Sequence, residues 1–249
     1  MASYNEFAEF YDSFITPVDY KARAAYFDSI IKQHIGEQHC LLLDLACGTG
    51  SLSIELSRLG YEVIAVDGSE QMLSLAQQKC WETDEHILFL NQQMESLDLY
   101  GTINACVCAL DSLNHLTDIP SLKRAISRVS LFLEPGGVFV FDMNTPYKHR
   151  ELLADNSYVY ENEDTVCVWR NRTDETLLTE ITLDFFTEQK DGRYIRRGES
   201  FAERAYDAET VEKILAESGL RLEALYHADT FDSVKDDTER YIFVAVKEN

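Results

Sequence analysis

Basic residues are scarce in this chain, whose 249 residues include 22 Lys and Arg against 44 Asp and Glu, a formal net charge of −22 at pH 7. Nucleic acids are polyanions and bind proteins through clustered Lys and Arg side chains. The only local basic group, Arg193, Arg196 and Arg197, is too small for such a surface. We therefore expect no binding to DNA, and a small molecule or a protein is easier to accept as the substrate.

The chain also lacks an apolar run of about 20 residues, the length that a membrane-spanning helix needs. Residues 1–6 show neither the basic start nor the apolar stretch of a secretory signal peptide. These two absences predict a cytoplasmic protein that does not contact a membrane.

None of the six cysteines lies in C-x-x-C spacing, and no cluster with metal-ligand spacing is visible. We predict no metal site and expect all six thiols to be reduced. Five of them are expected to be buried as small apolar side chains, namely Cys40, Cys47, Cys106, Cys108 and Cys167.

Residues 41–50, Leu-Leu-Leu-Asp-Leu-Ala-Cys-Gly-Thr-Gly, combine a short apolar run, a carboxylate and a glycine turn. A helix-like stretch follows, so the pattern indicates a buried parallel strand that leads into a helix, with a ligand crevice between them. A second strand, 62–66, is followed by Asp67, seventeen residues after Gly50. This spacing is typical of a nucleoside-binding βαβ unit, in which the second acid accepts hydrogen bonds from ribose hydroxyls.

The turn lacks the third glycine of a dinucleotide-binding fingerprint, because Ser53 stands in its place. Asp44, at the mouth of the turn, would also repel a diphosphate but attract a positively charged ligand. S-adenosylmethionine carries a sulfonium, an ammonium and a ribose but no phosphate, and so it fits both Asp44 and Asp67. We expect Asp44 to hold the ammonium, directly or through water. The backbone is expected to stay close to the ligand at three small residues, Ala46, Gly48 and Gly50.

The motif at 44–50 and the motif at 66–69, Val-Asp-Gly-Ser, resemble the first two motifs of the class I S-adenosylmethionine-dependent methyltransferases. The segment 133–138, Leu-Glu-Pro-Gly-Gly-Val, is similar to the turn before that family's fifth strand. The resemblance is good over about 40–144 and looser over 205–249. It implies a Rossmann-like fold, S-adenosylmethionine as the methyl donor and S-adenosylhomocysteine as the product.

The resemblance also implies which residues hold the cofactor. Ala46 departs from the family, in which many members have glycine there. Gln93 departs as well, since close relatives usually carry an aspartate that faces the adenine amino group, but a glutamine amide can also accept from that group. The implied cofactor-binding residues are Asp44, Ala46, Gly48, Gly50, Asp67, Gly68, Met72, Gln93, Met94 and Leu110.

Two residues are candidates for catalysis on the acceptor side. His115 follows the predicted fourth strand, 103–110, and its imidazole changes charge near neutral pH, so it is a candidate general base. Residues 4–12 resemble the lid segment of small-molecule members of the family, in which a tyrosine approaches the methionine end, and this implies Tyr11. Arg204 and Tyr206 could also reach the acceptor.

Strands and helices alternate up to residue 145, which predicts an α/β fold with a doubly wound, mostly parallel sheet. From 158 to 206 polar and apolar residues alternate instead, with Asp191 and Gly192 as a hairpin turn, which predicts an antiparallel β insertion. We divide the chain into N-terminal helices with the cofactor-binding core (1–145), the insertion (146–206) and a C-terminal helix with two strands that complete the core (207–249). The insertion is either a lid over the acceptor pocket or a contact in a homodimer.

These features favour an enzyme that transfers a methyl group to nitrogen or oxygen of a small molecule by in-line displacement. A tRNA or protein methyltransferase and a non-catalytic module that binds S-adenosylmethionine are the alternatives. A nicotinamide-dependent oxidoreductase is disfavoured by Ser53 and Asp44, which do not suit a dinucleotide.

Overall fold

A computed structural model describes residues 18–36, 40–162 and 164–248 of the chain. Its α-helices are α1 (Tyr20–Ile35), α2 (Ser51–Arg58), α3 (Glu70–Trp81), α4 (Ile119–Phe132) and α5 (Ala208–Glu217). Its strands are β1 (Leu41–Leu45), β2 (Glu62–Asp67), β3 (Ile87–Asn91), β4 (Ile103–Cys108), β5 (Leu133–Asn144), β6 (Ser157–Glu161), β7 (Thr165–Thr173), β8 (Leu178–Glu188), β9 (Tyr194–Arg204), β10 (Leu220–His227) and β11 (Arg240–Lys247). Short helical turns cover Met94–Ser96, Ser112–His115 and Lys148–Leu153.

The larger sheet has the strand order β10-β11-β5-β4-β1-β2-β3. Strand β11 runs antiparallel to β10 and β5, whereas the other neighbouring strands are parallel. The winding reverses between β1 and β4, which lie side by side. In open α/β sheets the ligand binds at such a switch point, outside the carboxyl ends of the strands.

Helices cover both faces of this sheet, which explains why its central strands are apolar throughout. On one face, Phe27 of α1 and Leu56 of α2 pack against Leu42 and Val107. On the other face α4 and α5 pack against residues that alternate with these in the same strands, including Leu43 and Cys106. Four of the five described α-helices begin with a side-chain cap, such as Ser69 before α3, whose hydroxyl accepts from the backbone N–H of Met72. Helix α2 follows Gly50 and has no such cap.

The smaller sheet is an antiparallel meander of β6, β7, β8 and β9, as expected from the alternating pattern. Its apolar side packs on α3, where Met72 contacts a cluster made of Cys167, Ile181, Leu183 and Phe185. Strand β9 reaches the end of β4, because Phe201 lies against the ring of His115 at a centroid distance of 5.3 Å. The second sheet therefore meets the first at the carboxyl end of β4.

The predicted fold class is confirmed, while several details differ. Strand β4 ends at Cys108, two residues earlier than predicted, because Leu110 and Asp111 adopt left-handed backbone conformations that cannot continue a strand. The cysteines are free, but Cys47 is half-buried and Cys80 is buried, the reverse of the expectation for these two. Among the described helices, none is long and apolar enough to span a membrane.

Candidate active site

The turn from β1 to α2 is shaped by backbone in the left-handed region at Ala46 (φ 59°), Gly48 (φ 54°) and Gly50 (φ 74°). A Cβ on Gly50 would lie 2.8 Å from the Cβ of Ala76, so this glycine allows α2 and α3 to pack closely. A Cβ on Gly48 would meet no atom within 4 Å, which leaves open space above its backbone. The predicted close approach of a ligand to the backbone is therefore feasible at Gly48, whereas Gly50 serves packing.

Asp67 ends β2 and faces this turn. One carboxylate oxygen accepts from the backbone N–H of Gly48 at 2.8 Å, and the other accepts from the N–H of Ser69 at 2.8 Å. Burial raises the pKa of Asp67, and the hydrogen bonds from these backbone groups oppose that shift. Each carboxylate oxygen can accept a further hydrogen bond, so the side chain is fixed in place and still able to bind a ligand.

Asp44, at the end of β1, is almost fully buried and accepts a hydrogen bond of 2.5 Å from the Ser53 hydroxyl. Burial raises the pKa of Asp44 to about 7, against the effect of the Ser53 hydrogen bond and with a contribution from the charge of Asp67. The serine that replaces the third glycine thus has a structural role, since it orients this acid. A cation beside Asp44 would favour its charged form.

A crevice opens at the carboxyl ends of β1 and β4, and four of the predicted cofactor residues line it, namely Asp44, Ala46, Gly48 and Leu110. The other residues that line it were not among the predicted cofactor contacts, although Cys47 and Thr49 belong to the predicted turn; they are Tyr20, Cys47, Thr49, Ser51, Leu52, Ala109 and Ser112. Tyr20 and Ala109 come from separate elements, so no local pattern links them to the turn. Lys79 closes one side by donating to the hydroxyls of Thr49 and Ser51 at 2.8 and 2.9 Å.

The remaining predicted cofactor residues lie along the β2 and β3 side. The amide of Gln93 approaches the Gly68 carbonyl at 3.4 Å, and a Cβ on Gly68 would collide with this amide. Met94 is half-buried and packs against the main core. Met72 is buried beneath the second sheet, so its contacts in the structure are apolar ones.

Asp142 fixes the loop that follows β4. This fully buried carboxylate accepts from the backbone N–H groups of Leu110 at 2.9 Å and Asp111 at 2.5 Å, the two left-handed residues. It also accepts from the guanidinium groups of Arg23 at 2.5 Å and Arg240 at 2.7 Å. Arg240 in turn binds Asp111 at 2.7 Å. The strained loop beside the crevice is therefore held by a buried ion network that sequence reasoning missed.

His115 lies at the other end of the same loop, with 28% of its side chain exposed. Burial lowers the pKa of His115, and the charge of Asp111 opposes that shift. Its Nε2 atom lies 3.8 Å from a carboxylate oxygen of Glu203, which the structure brings in from β9. Asn144 and His149 adjoin the same carboxylate. We call this group, His115, Asn144, His149 and Glu203, the seam cluster, because it lies where the two sheets meet.

The remaining candidates are Tyr11, Arg204 and Tyr206 on the acceptor side, and a metal site. Tyr11 lies outside the described residues. Tyr206 is buried and donates its hydroxyl to the Leu116 carbonyl, while Arg204 donates to Thr176 at 3.1 Å, so these two contacts are structural. Over the described ranges, no group of three or more His, Cys, Asp or Glu side chains is arranged to hold a metal ion. The prediction that no metal takes part stays a prediction.

Comparison with known proteins agrees with this geometry. A family model described as a methyltransferase domain matches residues 42–137. YqeM of Bacillus subtilis (strain 168), which carries the name of a methyltransferase, is 31% identical over 246 residues, covering 98% of this chain and 97% of that protein. The crystal structure of an S-adenosylmethionine-dependent methyltransferase from Clostridium acetobutylicum ATCC 824 has a TM-score of 0.90 and 31% identity, and the match covers 99% of each chain.

A more distant structure shares the fold alone. It is an amino pentose methyltransferase from Micromonospora echinaspora with S-adenosylmethionine bound, at a TM-score of 0.74 and 20% identity over 92% of each chain. The parallel sheet, its switch-point crevice and the two acids define a Rossmann-like nucleoside-binding enzyme. The chain belongs to the class I S-adenosylmethionine-dependent methyltransferases, which confirms the family, the activity class and the cofactor expected from the motifs.

Proposed function

We propose that the protein methylates a nitrogen or oxygen atom of a small molecule. The observation that carries this proposal is the burial of the polar side chains beside the crevice. Asn144 is 2% exposed, His149 0% and Glu203 4%, because β9 and the segment after β5 enclose them. An acceptor atom that reacts beside these enclosed side chains would sit on a small molecule, because a polymer would have to thread that atom between the two sheets.

The residues of the crevice, and Asp67, which is hydrogen-bonded to Gly48 beside it, fit the cofactor. Asp67 would accept from both ribose hydroxyls, and each charge-assisted hydrogen bond contributes about 1.5–3 kcal/mol. Asp44, whose ionisation burial disfavours, would be stabilised as a carboxylate by the ammonium of the methionine moiety. The open space above Gly48 would let the ligand approach the backbone there. We therefore propose that Asp44, Ala46, Gly48 and Asp67 hold the cofactor.

The other predicted cofactor residues differ in how directly they would contact the cofactor. Gln93 and Gly68 adjoin each other at the edge where adenine is expected, and Leu110 lines the crevice. Gly50 would act indirectly, by allowing the helices to pack. Met72 and Met94 would offer apolar surface to the adenine ring from the β2 and β3 side.

When bound, the cofactor supplies a methyl group that the sulfonium already activates. The chain then has to align the acceptor, exclude water and accept a proton where the acceptor carries one. Burial lowers the pKa of His115, which favours the neutral ring, and a neutral imidazole can accept a hydrogen bond from the acceptor. We propose His115 and Tyr11 as residues that act on the acceptor side.

Further observations support a small acceptor over tRNA. The net charge of −22 opposes the approach of a polyanion. The fold also accommodates a small acceptor, since an amino pentose methyltransferase shares it. A cytoplasmic location and a homodimer stay predictions.

The test is a methyl-transfer assay with S-adenosylmethionine labelled in the methyl group. Purified protein would be incubated with pools of small amines and alcohols, with bulk tRNA and with a protein extract. We expect label to appear in a small-molecule pool and to be lost in the Asp67→Ala variant. Labelling of tRNA or protein alone would contradict the small-molecule proposal, and cofactor binding without any labelling would favour a non-catalytic module.

A further inference from the structure

The seam cluster is centred on the buried carboxylate of Glu203, to which the proposed function assigns no chemical role. One of its oxygens lies 3.8 Å from Nε2 of His115, and the other lies 3.9 Å from Nε2 of His149. The closest donor is the Asn144 amide, at 3.4 Å. All three distances exceed that of a strong hydrogen bond to a carboxylate, which is about 2.7–2.9 Å. Among the described residues, the carboxylate thus has no strong donor.

Within the described part of the chain, His149 also lacks a hydrogen-bond partner on the side that faces Glu203. Its Nδ1 is paired with the hydroxyl of Thr179 at 2.8 Å, which fixes the ring in the segment after β5. Its Nε2 is buried and faces Glu203, and none of the residues that the structure describes hydrogen-bonds to it. Buried polar atoms are nearly always hydrogen-bonded, and leaving them unpaired destabilises the folded protein. A ligand that donates hydrogen bonds between these side chains would remove that cost.

The charged groups around Glu203 already have partners of their own. Asp111, from the loop after β4, is paired with Arg240 at the start of β11. Lys148, from the segment after β5, donates to the side-chain oxygen of Asn144 at 2.9 Å. Glu203 is therefore the carboxylate of this region that no Lys or Arg of the described residues contacts. An incoming cation would favour the charged form of this carboxylate.

We propose that Glu203 binds the amino group of an amine acceptor and takes up its proton. This inference rests on the proposed function and names its substrate class. A carboxylate only accepts hydrogen bonds, and it is flanked here by two imidazoles, so several donors are needed at once. An ammonium offers several N–H donors and a positive charge, whereas a hydroxyl offers a single proton.

The proton transfer balances within the pair. An N–H bond of the ammonium breaks, an O–H bond forms on Glu203, and the nitrogen keeps the electron pair that it needs to attack a methyl group. The charges of the ammonium and the carboxylate disappear together. Burial and the charge of Asp111 raise the pKa of Glu203, against Lys148, Asn144 and Arg240, which makes the carboxylate a stronger base.

The position of Glu203 suits this role. Ser112 lines the crevice, and His115 at the other end of the same short helix contacts Glu203. Three residue steps at about 2 Å each give a separation of about 6 Å along this helix. An acceptor whose amino group sits at the seam cluster would therefore extend toward the crevice.

The test uses the full chain saturated with S-adenosylhomocysteine. Short primary amines, from methylamine to butylamine, would be titrated against alcohols of equal length while the ring signals of His115 and His149 are followed by NMR. We expect the amines to bind at least about tenfold more tightly than the alcohols, and about tenfold more weakly in the Glu203→Gln variant. Glu223→Gln, at an acid that pairs with Arg221 on β10, is the matched control and should bind as the wild type does.

Equal binding of amines and alcohols by the wild type would overturn the proposal, as would undiminished binding of amines by Glu203→Gln. A lack of amine-induced shifts in the wild type would overturn it as well. The comparison of amines with alcohols needs no variant, so it holds even if Glu203→Gln fails to fold. Affinity for S-adenosylhomocysteine, measured on the same samples, reports separately on the crevice and so on the proposed function.

Discussion

The crevice at the end of β1 and the seam cluster at the end of β4 are built in different ways. At the crevice the backbone sets the shape: left-handed residues open a space above Gly48, and backbone N–H groups fix Asp67. At the seam, side chains from distant segments meet, and a buried carboxylate, Asp142, holds the loop between the two regions. A backbone-built site offers one fixed geometry to one cofactor, whereas a site of side chains can be changed residue by residue for another acceptor.

The largest effect is expected from removing the ion network behind the seam. Asp142→Ala would leave Arg23 and Arg240 without their buried partner and two loop N–H groups without an acceptor. Breaking a buried pair in this way costs about 3–5 kcal/mol in the free energy of unfolding. Urea denaturation measures this loss.

The control for this variant is an exposed ion pair. Asp98 is 82% exposed on its side chain and pairs with Arg128, so Asp98→Ala should change stability by less than about 1 kcal/mol. If the two variants lost similar stability, the loop would not depend on its buried anchor.

Substitutions at two glycines of the turn distinguish a position that helix packing needs from one that borders the space for the ligand. Gly50→Ala adds left-handed strain of about 1–2 kcal/mol and a collision with Ala76, which together should destabilise by about 2–4 kcal/mol. Gly48→Ala adds the strain alone, since its Cβ meets open space. Thermal unfolding should therefore show a larger loss of stability in Gly50→Ala than in Gly48→Ala. Binding of S-adenosylhomocysteine should be weaker in Gly48→Ala, although this variant loses less stability. Similar unfolding temperatures for both variants would refute this distinction.

A smaller effect concerns the pH dependence of the ligand-free protein. The pKa of Asp44 is raised to about 7 in the folded state, whereas an unfolded aspartate has about 3.9. Its contribution to stability is therefore complete below about pH 4 and is lost as the pH rises through 7. The Asp44→Asn variant does not have this loss. The difference in the free energy of unfolding between this variant and the wild type should therefore shift by at least about 1 kcal/mol in favour of the variant from pH 5 to pH 8.

The matched control is Asp84→Asn, at an exposed acid, which should follow the wild type at both pH values. Asp44→Asn should also weaken binding of S-adenosylmethionine at pH 8, because the ammonium loses its counter-charge. If the stability of Asp44→Asn and of the wild type changed with pH in the same way, ionisation of Asp44 would not destabilise the folded protein, and this prediction would be wrong.

The sequence predicts the crevice better than the seam for a physical reason. Asp44, Gly48 and Asp67 lie within one strand-helix-strand unit, where short-range spacing fixes their relative positions. Even the absent third glycine was informative, since Ser53 orients Asp44. The mostly parallel sheet and the antiparallel insertion followed from the alternation of elements and from residue periodicity in the same local way.

Glu203 and Asp142 illustrate what local patterns miss. Each lies in a strand whose residue pattern predicts strand pairing but not what a buried acid will meet in another segment. His149 reaches Glu203 from a helical turn over fifty residues earlier in the chain. Met72 was expected to contact the cofactor, but its apolar contacts come from the second sheet. Such contacts depend on how the two sheets pack, which spacing along the chain does not encode.

The division into a donor crevice and an acceptor seam is tested most directly by calorimetric titration of S-adenosylhomocysteine into two variants, Asp67→Ala and Glu203→Gln. We expect affinity to fall at least about 100-fold in Asp67→Ala, since two charge-assisted hydrogen bonds are lost, and to stay within about threefold of the wild type in Glu203→Gln. Comparable losses in both variants, or unchanged affinity in Asp67→Ala, would contradict this division.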